Sequence, residues 1–216
     1  MPSIEGGGVE KNLFIIANFL STKIKDLNLI TASKGFDHKF KGLKIVKPSF
    51  NYWANSKRKY KYLICLLKLL RLIINKKNIT VFAFQANLYC ILLCKIFNKK
   101  IIIRSNSSPS GWSNNFIKKK IFKLILKLAD RIIVNSLDFK KEFKLKFNIN
   151  AKCIYNPLNQ REIIKLAREK VDFPFYKKNK GYLKIITIGR FTDQKDHLTL
   201  LKAINLINNK LRIKLL

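Results

Sequence analysis

Short apolar runs alternate with longer amphipathic ones along this chain, and that alternation restricts its fold more than any other feature. Ile101-Ile102-Ile103, Arg131-Ile132-Ile133-Val134 and Ile185-Ile186 are nearly bare of polar residues. A strand that is apolar on both sides of its pleat suits a sheet covered on both faces. Between such runs lie segments with the helical period, such as Leu13, Ile16, Ala17 and Leu20. Strands and helices alternating in this way build parallel βαβ units in an open twisted sheet. Ligands of such sheets bind beyond the carboxyl ends of the strands.

The spacing predicts helices over 8–20, 59–75, 87–97, 116–129, 137–147, 161–169 and 195–208. Strands are expected over 27–31, 43–46, 79–84, 100–104, 131–135, 151–155, 183–188 and 211–216. Residues 173–181, with Pro174 and several Lys, read as a linker. The expected organisation is a Rossmann-like domain at 1–172, a linker at 173–182 and the start of a second Rossmann-like domain at 183–216. Leu216 stops inside an apolar run, and only Pro2 to Ile4 precede the glycine turn at Gly6. The chain is therefore expected to be truncated at its carboxyl end, and clipping at the amino end is left open.

Charge enters next. With 45 Lys+Arg against 12 Asp+Glu, the formal balance is +33. That favours a polyanion partner, nucleic acid or an anionic lipid surface. A competing reading is codon bias, since the excess is mostly Lys and comes with abundant Ile, Asn and Phe. The 48% hydrophobic content excludes a disordered chain. Cys65, Cys90, Cys94 and Cys153 lie in apolar runs without a companion His, so they read as core residues in a reducing compartment. No stretch reaches the ~18 apolar residues of a membrane span, and the first residues lack a signal-peptide pattern.

Four segments could carry chemistry. Gly6-Gly7-Gly8-Val9-Glu10 precedes a helix. Glycines admit a close ligand, and helix amides favour anions; a plain flexible turn is the alternative. Gly189-Arg190-Phe191-Thr192-Asp193-Gln194-Lys195 follows the strand at 183–188. Two cations there suit a diphosphate, against an ordinary βα turn with solvated charges. The loop from Arg104 to Asn115 offers Asn106, Ser107 and Trp112 for sugar recognition, or is a polar loop with Asn114 or Asn115 as a helix cap. The helix at 116–129 sets Ile117, Ile121, Leu124, Ile125 and Leu128 opposite Lys119, Lys120, Lys123 and Lys127. That pattern suits anionic lipid, or a core-packed helix with a solvated face. His38 and His197 lack partners for catalysis or metal binding and read as structural or surface residues. No metal site is expected.

These segments, in this order, resemble glycosyltransferase family 4. The likeness rests on PSIEGGGVEKNLFIIANFL, FQANLYCILLCKIFNKKIIIRSNSSPSGWS, ADRIIVNS, CIYNPLN and IITIGRFTDQKDHLTLLKAI. It implies an α/β fold of the GT-B type, with two Rossmann-like domains across a cleft. It also implies retaining transfer of a sugar from a nucleotide diphosphate sugar, with no cofactor and no metal. Gly7 and Gly8 would lie near the donor phosphates or the reacting centre, and Gly189 at the donor diphosphate, with Arg190 and Lys195 neutralising that diphosphate as it leaves. Asn106, Ser107 and Trp112 would serve the acceptor or sugar. Three departures matter. The chain ends before the family's later pair of Glu residues, Asn106 and Ser107 stand where many members carry a His, and the strand ahead of the glycine turn is nearly absent. No catalytic base is therefore named, and the chain alone is not expected to turn over substrate.

The implied acceptor is a cell-envelope glycan or lipid-linked glycan. The implied location is cytoplasmic, with Lys119, Lys120, Lys123 and Lys127 as candidates for a hold on the inner face of the membrane. A non-catalytic basic α/β domain binding nucleic acid or an anionic surface is the alternative. Nucleic acid is disfavoured, because no aromatic-interleaved basic platform or recognition-helix motif is present. A nucleotide-sugar epimerase would need a Gly-x-Gly-x-x-Gly turn, which is absent.

Overall fold

A computed structural model describes residues 1–49, 53, 55–108, 111–112, 115–170, 173, 175, 181–207 and 211–216, with the side chain of Gln194 excepted. Most of the expected linker, and positions 109–110 and 113–114 of the polar loop, lie outside the described residues. Contacts divide the chain into two units, Met1–Asn159 and Gln160–Leu216.

The first unit runs α1 (Gly8–Ser21), β1 (Asn28–Ile30), β2 (Lys44–Val46), α2 (Arg58–Asn75), β3 (Thr80–Ala83), α3 (Asn87–Ile96), β4 (Lys100–Ser105), α4 (Phe116–Lys127), β5 (Arg131–Val134), α5 (Leu137–Phe147) and β6 (Lys152–Cys153). The bare apolar runs become strands. β3, β4, β5 and β6 form a parallel sheet in chain order, with Ile103 opposite both Ala83 and Ile132. β1 and β2 pair in parallel as a separate ribbon. The α/β parallel class expected from the sequence is the one observed.

The face of the larger sheet that carries Ile101, Ile103 and Val134 is covered by helices, while Ile102 and Ile133 on the opposite face are half-buried. Ile101, Ile103 and Val134 are sealed from solvent with Ile91 and Cys94 of α3, Leu126 of α4 and Phe143 of α5. Local signals set the helix ends. The Ser136 hydroxyl accepts from Phe139 N, opening α5, and Asn148 closes it in the left-handed region at φ 51°. The Asn115 amide oxygen likewise accepts from Lys118 N at the start of α4.

The second unit runs α6 (Gln160–Ala167), β7 (Leu183–Ile185), α7 (His197–Ile207) and β8 (Ile213–Leu215), with β7 and β8 parallel. Two expectations change here. The strand at 183–188 shortens to three residues, and Ile188 is 91% exposed rather than buried. Two strands and one crossover helix cannot cover both faces of a sheet. The helix expected from 195 begins at His197, because Asp196 takes a left-handed conformation, φ 46°, and interrupts it.

Among the described residues, no helix is long and apolar enough to cross a membrane.

Candidate functional site

Polar residues of the first unit gather where the α/β rule directs them, at the carboxyl ends of β3 and β4. Phe84 to Asn87 follow β3, and Ser105 to Ser107 end or follow β4. Together with Val9 and Glu10 of α1, and Arg58 and Tyr62 of α2, they line a cleft of about 530 Å³. The chain enters α3 through Ala86, at φ 54°, a region that residues with a Cβ rarely adopt. Such strain collects at functional sites.

The cleft holds side chains with unmet hydrogen-bonding capacity. Asn106 Nδ2 donates to Phe84 O at 3.2 Å, and Asn87 Nδ2 donates to Arg104 O at 3.0 Å. Those bonds fix the amide orientations. Each leaves a buried Oδ1 with no partner among the described residues. Buried unpaired acceptors are rare in folded proteins, and a hydroxyl-bearing ligand would satisfy them. Beneath them Arg104 is 1% exposed. Its Nη2 donates to Ile154 O and to Asn156 Oδ1 at 3.1 and 2.9 Å, and burial draws the guanidinium pKa down from its ordinary value.

The three residues expected to serve a sugar are brought together here. Asn106 and Ser107 line the cleft. Trp112 also lines it and serves packing as well: it stacks on Phe147, meets Phe122 and Phe143 edge-on, and donates from Nε1 to Ser107 Oγ at 2.9 Å. The indole thus anchors the loop to α4 and α5. Ser108 Oγ adds a bond to Glu142 of α5.

Gly7 and Gly8 stand one step outside the lining, which Val9 and Glu10 supply. The glycine that the turn itself requires is Gly6, at φ 79°. At Gly7 an added Cβ would lie 2.8 Å from Glu10 Oε2, so this glycine leaves room for a nearly buried carboxylate. At Gly8 an added Cβ meets nothing within 4 Å.

In the second unit, Gly189, Arg190 and Lys195 form one local cluster. An added Cβ at Gly189 would meet Lys195 Cγ at 3.2 Å and His197 Nε2 at 3.4 Å. His197 Nε2 is 3.1 Å from Arg190 O, and its ring lies against Phe191. His197 therefore braces the turn. Arg190 and Lys195 are exposed, and neither forms an ion pair among the described residues. Lys195 sits in a short 3-10 turn rather than at the helix start. Asp196 Oδ1 caps α7 instead, accepting from Thr199 N at 3.3 Å. The charge pair is kept, but a carboxylate already occupies the helix amides.

The α4 lysines lie mostly at the surface. Lys119, Lys120 and Lys127 are exposed and Lys123 is half-buried. The apolar side divides: Leu126 is buried and Phe122 and Ile125 pack on the core, while Ile117, Ile121, Leu124 and Leu128 face solvent.

Sequence reasoning missed Glu10, Arg58, Tyr62, Gln85 and Asn87 as parts of one cleft. Gln85 and Asn87 were open to detection, since they follow the strand at 79–84 directly. Arg58 and Tyr62 come from α2, and nothing local marks them.

No protein-family model matches this chain, and no curated protein matches it. Solved structures do share its fold. The crystal structure of Anabaena Alr3699/HepE in complex with UDP and glucose has a TM-score of 0.59 at 13% sequence identity, covering 100% of this chain and 67% of that one. The same protein in complex with UDP, and in complex with UDP-glucose, gives TM-scores of 0.58 and 0.56 at 14% identity over the same coverage. The likeness confirms the GT-B type of α/β fold.

Proposed function

We propose that this chain belongs to a glycosyltransferase that moves a sugar from a nucleotide diphosphate sugar to a cell-envelope or lipid-linked glycan, with retention and without a metal ion. One observation carries the reading: the cleft after β3 and β4 presents the unpartnered amide oxygens of Asn87 and Asn106. Acceptor hydroxyls are the natural donors to such oxygens. The likeness to UDP-bound and UDP-glucose-bound structures supports a nucleotide-sugar donor.

In the second unit Arg190 and Lys195 would answer the charge that grows on the departing diphosphate. Fixed cations aimed at developing charge are a main source of rate enhancement in such transfers. Gly189 lets the Lys195 stem lie against the turn, and His197 holds the Arg190 carbonyl. The exposed stripe of Ile117, Ile121, Leu124 and Leu128 beside the α4 lysines supports an anionic membrane surface as the place of action.

Thermal unfolding of the chain with and without UDP tests the donor side. A ligand at about 100 times its Kd stabilises by roughly 2.7 kcal/mol, so a rise in midpoint that saturates with UDP is expected. No response to UDP, UDP-glucose or other nucleoside diphosphates, together with salt-sensitive binding to duplex DNA, would instead support a basic nucleic-acid-binding domain.

A further inference from the structure

With 45 Lys+Arg against 12 Asp+Glu, an acid of this chain has cations to choose from. Asp26, Asp37 and Asp130 each pair with a lysine. Glu10 does not. It is 6% exposed, yet it forms no ion pair among the described residues, and Arg58 lines the same cleft without closing on it. A desolvated carboxylate is costly. Its place in the first turn of α1 offsets part of that cost through the helix dipole. Gly7 makes the position possible, because any Cβ there would lie 2.8 Å from Glu10 Oε2.

The polar groups around Glu10 are fixed in their roles. Asn87 and Asn106 are held by their amide nitrogens, so each offers Oδ1. An ionised carboxylate is acceptor-only, with room for about four bonds. Gln85 is turned the other way. Its Oε1 is taken by Ser3 N at 3.1 Å, which leaves its amide nitrogen to donate. One cleft thus gathers a carboxylate and two orphaned amide oxygens. Buried acceptors call for donors, and a ligand carrying several hydroxyls supplies them.

We infer, resting on the acceptor reading of this cleft, that Glu10 is the residue that selects the acceptor: its carboxylate takes two adjacent ring hydroxyls of a neutral sugar, beside the amide oxygens of Asn87 and Asn106. The two oxygens of a carboxylate match a pair of neighbouring donors, as they do in bidentate pairing with arginine. Two kinds of sugar are rejected by this arrangement. An acidic sugar would set a second carboxylate against Glu10, in a site where low dielectric strengthens the repulsion. A sugar lacking either hydroxyl would leave a desolvated carboxylate oxygen unpaired, which is where sites of this kind discriminate most.

Amide chemical shifts of the chain, followed by nuclear magnetic resonance during titration, test this. The probes are the methyl glycosides of glucose, galactose and mannose, each with its matching methyl glycuronoside. At least one neutral glycoside is expected to shift the amides of 9–10, 85–87 and 105–107, and its glycuronoside to bind about tenfold more weakly or worse. Glu10→Gln should raise the Kd of that glycoside about tenfold and narrow the gap to the glycuronoside. A merely structural Glu10 would leave both readings alone, since glutamine serves the first turn of a helix as glutamate does. Gly7→Ala keeps the charge but crowds the carboxylate, so it should weaken the same glycoside as well. If the unfolding midpoint shows that Glu10→Gln does not fold, the Kd in Gly7→Ala decides. Binding by none of the glycosides, a glycuronoside held as tightly as its neutral parent, or an unchanged Kd in the folded variant overturns the proposal. The response of the unsubstituted chain to UDP separates the two levels. A midpoint that rises with UDP while no sugar is selected overturns the role of Glu10 alone, whereas loss of both responses overturns the transferase reading with it.

Discussion

Arg104 in β4 and Asn156 beyond the end of β6 are joined, with Nη2 of the buried arginine donating to Asn156 Oδ1 at 2.9 Å. The same nitrogen reaches Ile154 O. This arginine supports the floor of the cleft, because its own carbonyl accepts from Asn87. Asn156→Ala removes one of two acceptors from a desolvated cation. The expected cost is about 2 kcal/mol, read as a fall of roughly 5 °C in the unfolding midpoint. Arg104→Lys should do no better than Asn156→Ala, since an ammonium lacks the planar fork.

Asp130 contributes to the acid sensitivity of the first unit. Its carboxylate accepts from Lys95 Nζ at 2.8 Å and from Ile101 N at 2.7 Å, pinning α3 and the start of β4. The Lys95 bond, followed by the Ile101 bond, holds its pKa below the usual 3.8. The folded state thus favours the ionised form. The stabilisation is fully present above pH 3.8 and is lost as pH falls through the lower folded value. Asp130→Asn should therefore lower stability at pH 6 and flatten its decline below pH 4, as measured by urea unfolding across that range.

The parts of the fold legible in the sequence are those governed by local rules. Ile101 to Ile103 and Ile132 to Val134 read as strands from their bare apolar runs, and the helical spacing over 137–147 marked α5, whose ends the structure shows capped by Ser136 and Asn148. What could not be read depended on tertiary context. Trp112 looks like a free aromatic in a polar loop, yet three phenylalanines from α4 and α5 receive it. Ala86 carries no sign of its left-handed backbone, which glycine or asparagine would have given. Asp196 reads as one residue in a helical run, but its side chain caps α7 and leaves Lys195 in a 3-10 turn. In the cleft, Asn106 and Ser107 were visible as polar loop residues. Glu10, Arg58 and Tyr62 arrive from helices whose packing no local pattern specifies.

The exposed side of α4 makes a separable prediction. Lys119 and Lys120 lie near Ile117 and Ile121, which are 67% and 47% exposed. Each lysine near an anionic surface contributes about 1 kcal/mol. Lys119→Glu with Lys120→Glu should weaken binding to vesicles containing phosphatidylserine by more than tenfold at low salt. Ile121→Ser with Leu124→Ser should weaken it as well, through lost apolar insertion. Neither pair should lower the unfolding midpoint beyond the ~0.5 kcal/mol usual for surface changes. Cosedimentation with vesicles and thermal unfolding read the two effects independently.

The sharpest test of the donor reading lies in the second unit. Arg190 and Lys195 are exposed cations on one turn, where Gly189 meets the Lys195 stem and His197 meets the Arg190 carbonyl, and neither helps to fold that unit through an ion pair among the described residues. If they grip a diphosphate, each makes a charge-assisted bond worth about 1.5–3 kcal/mol. Arg190→Ala and Lys195→Ala should each raise the Kd for UDP about tenfold to a hundredfold in calorimetry, while far-UV circular dichroism stays unchanged. Gly189→Ala should act indirectly, because its Cβ would press on the Lys195 stem and the His197 ring. It should cost less than either cation, and uridine, which lacks the phosphates, should not sense any of the three. Equal loss of UDP and uridine binding would mean that the turn is merely disordered by the substitutions. Unchanged UDP binding in Arg190→Ala and Lys195→Ala would remove the diphosphate from this cluster altogether.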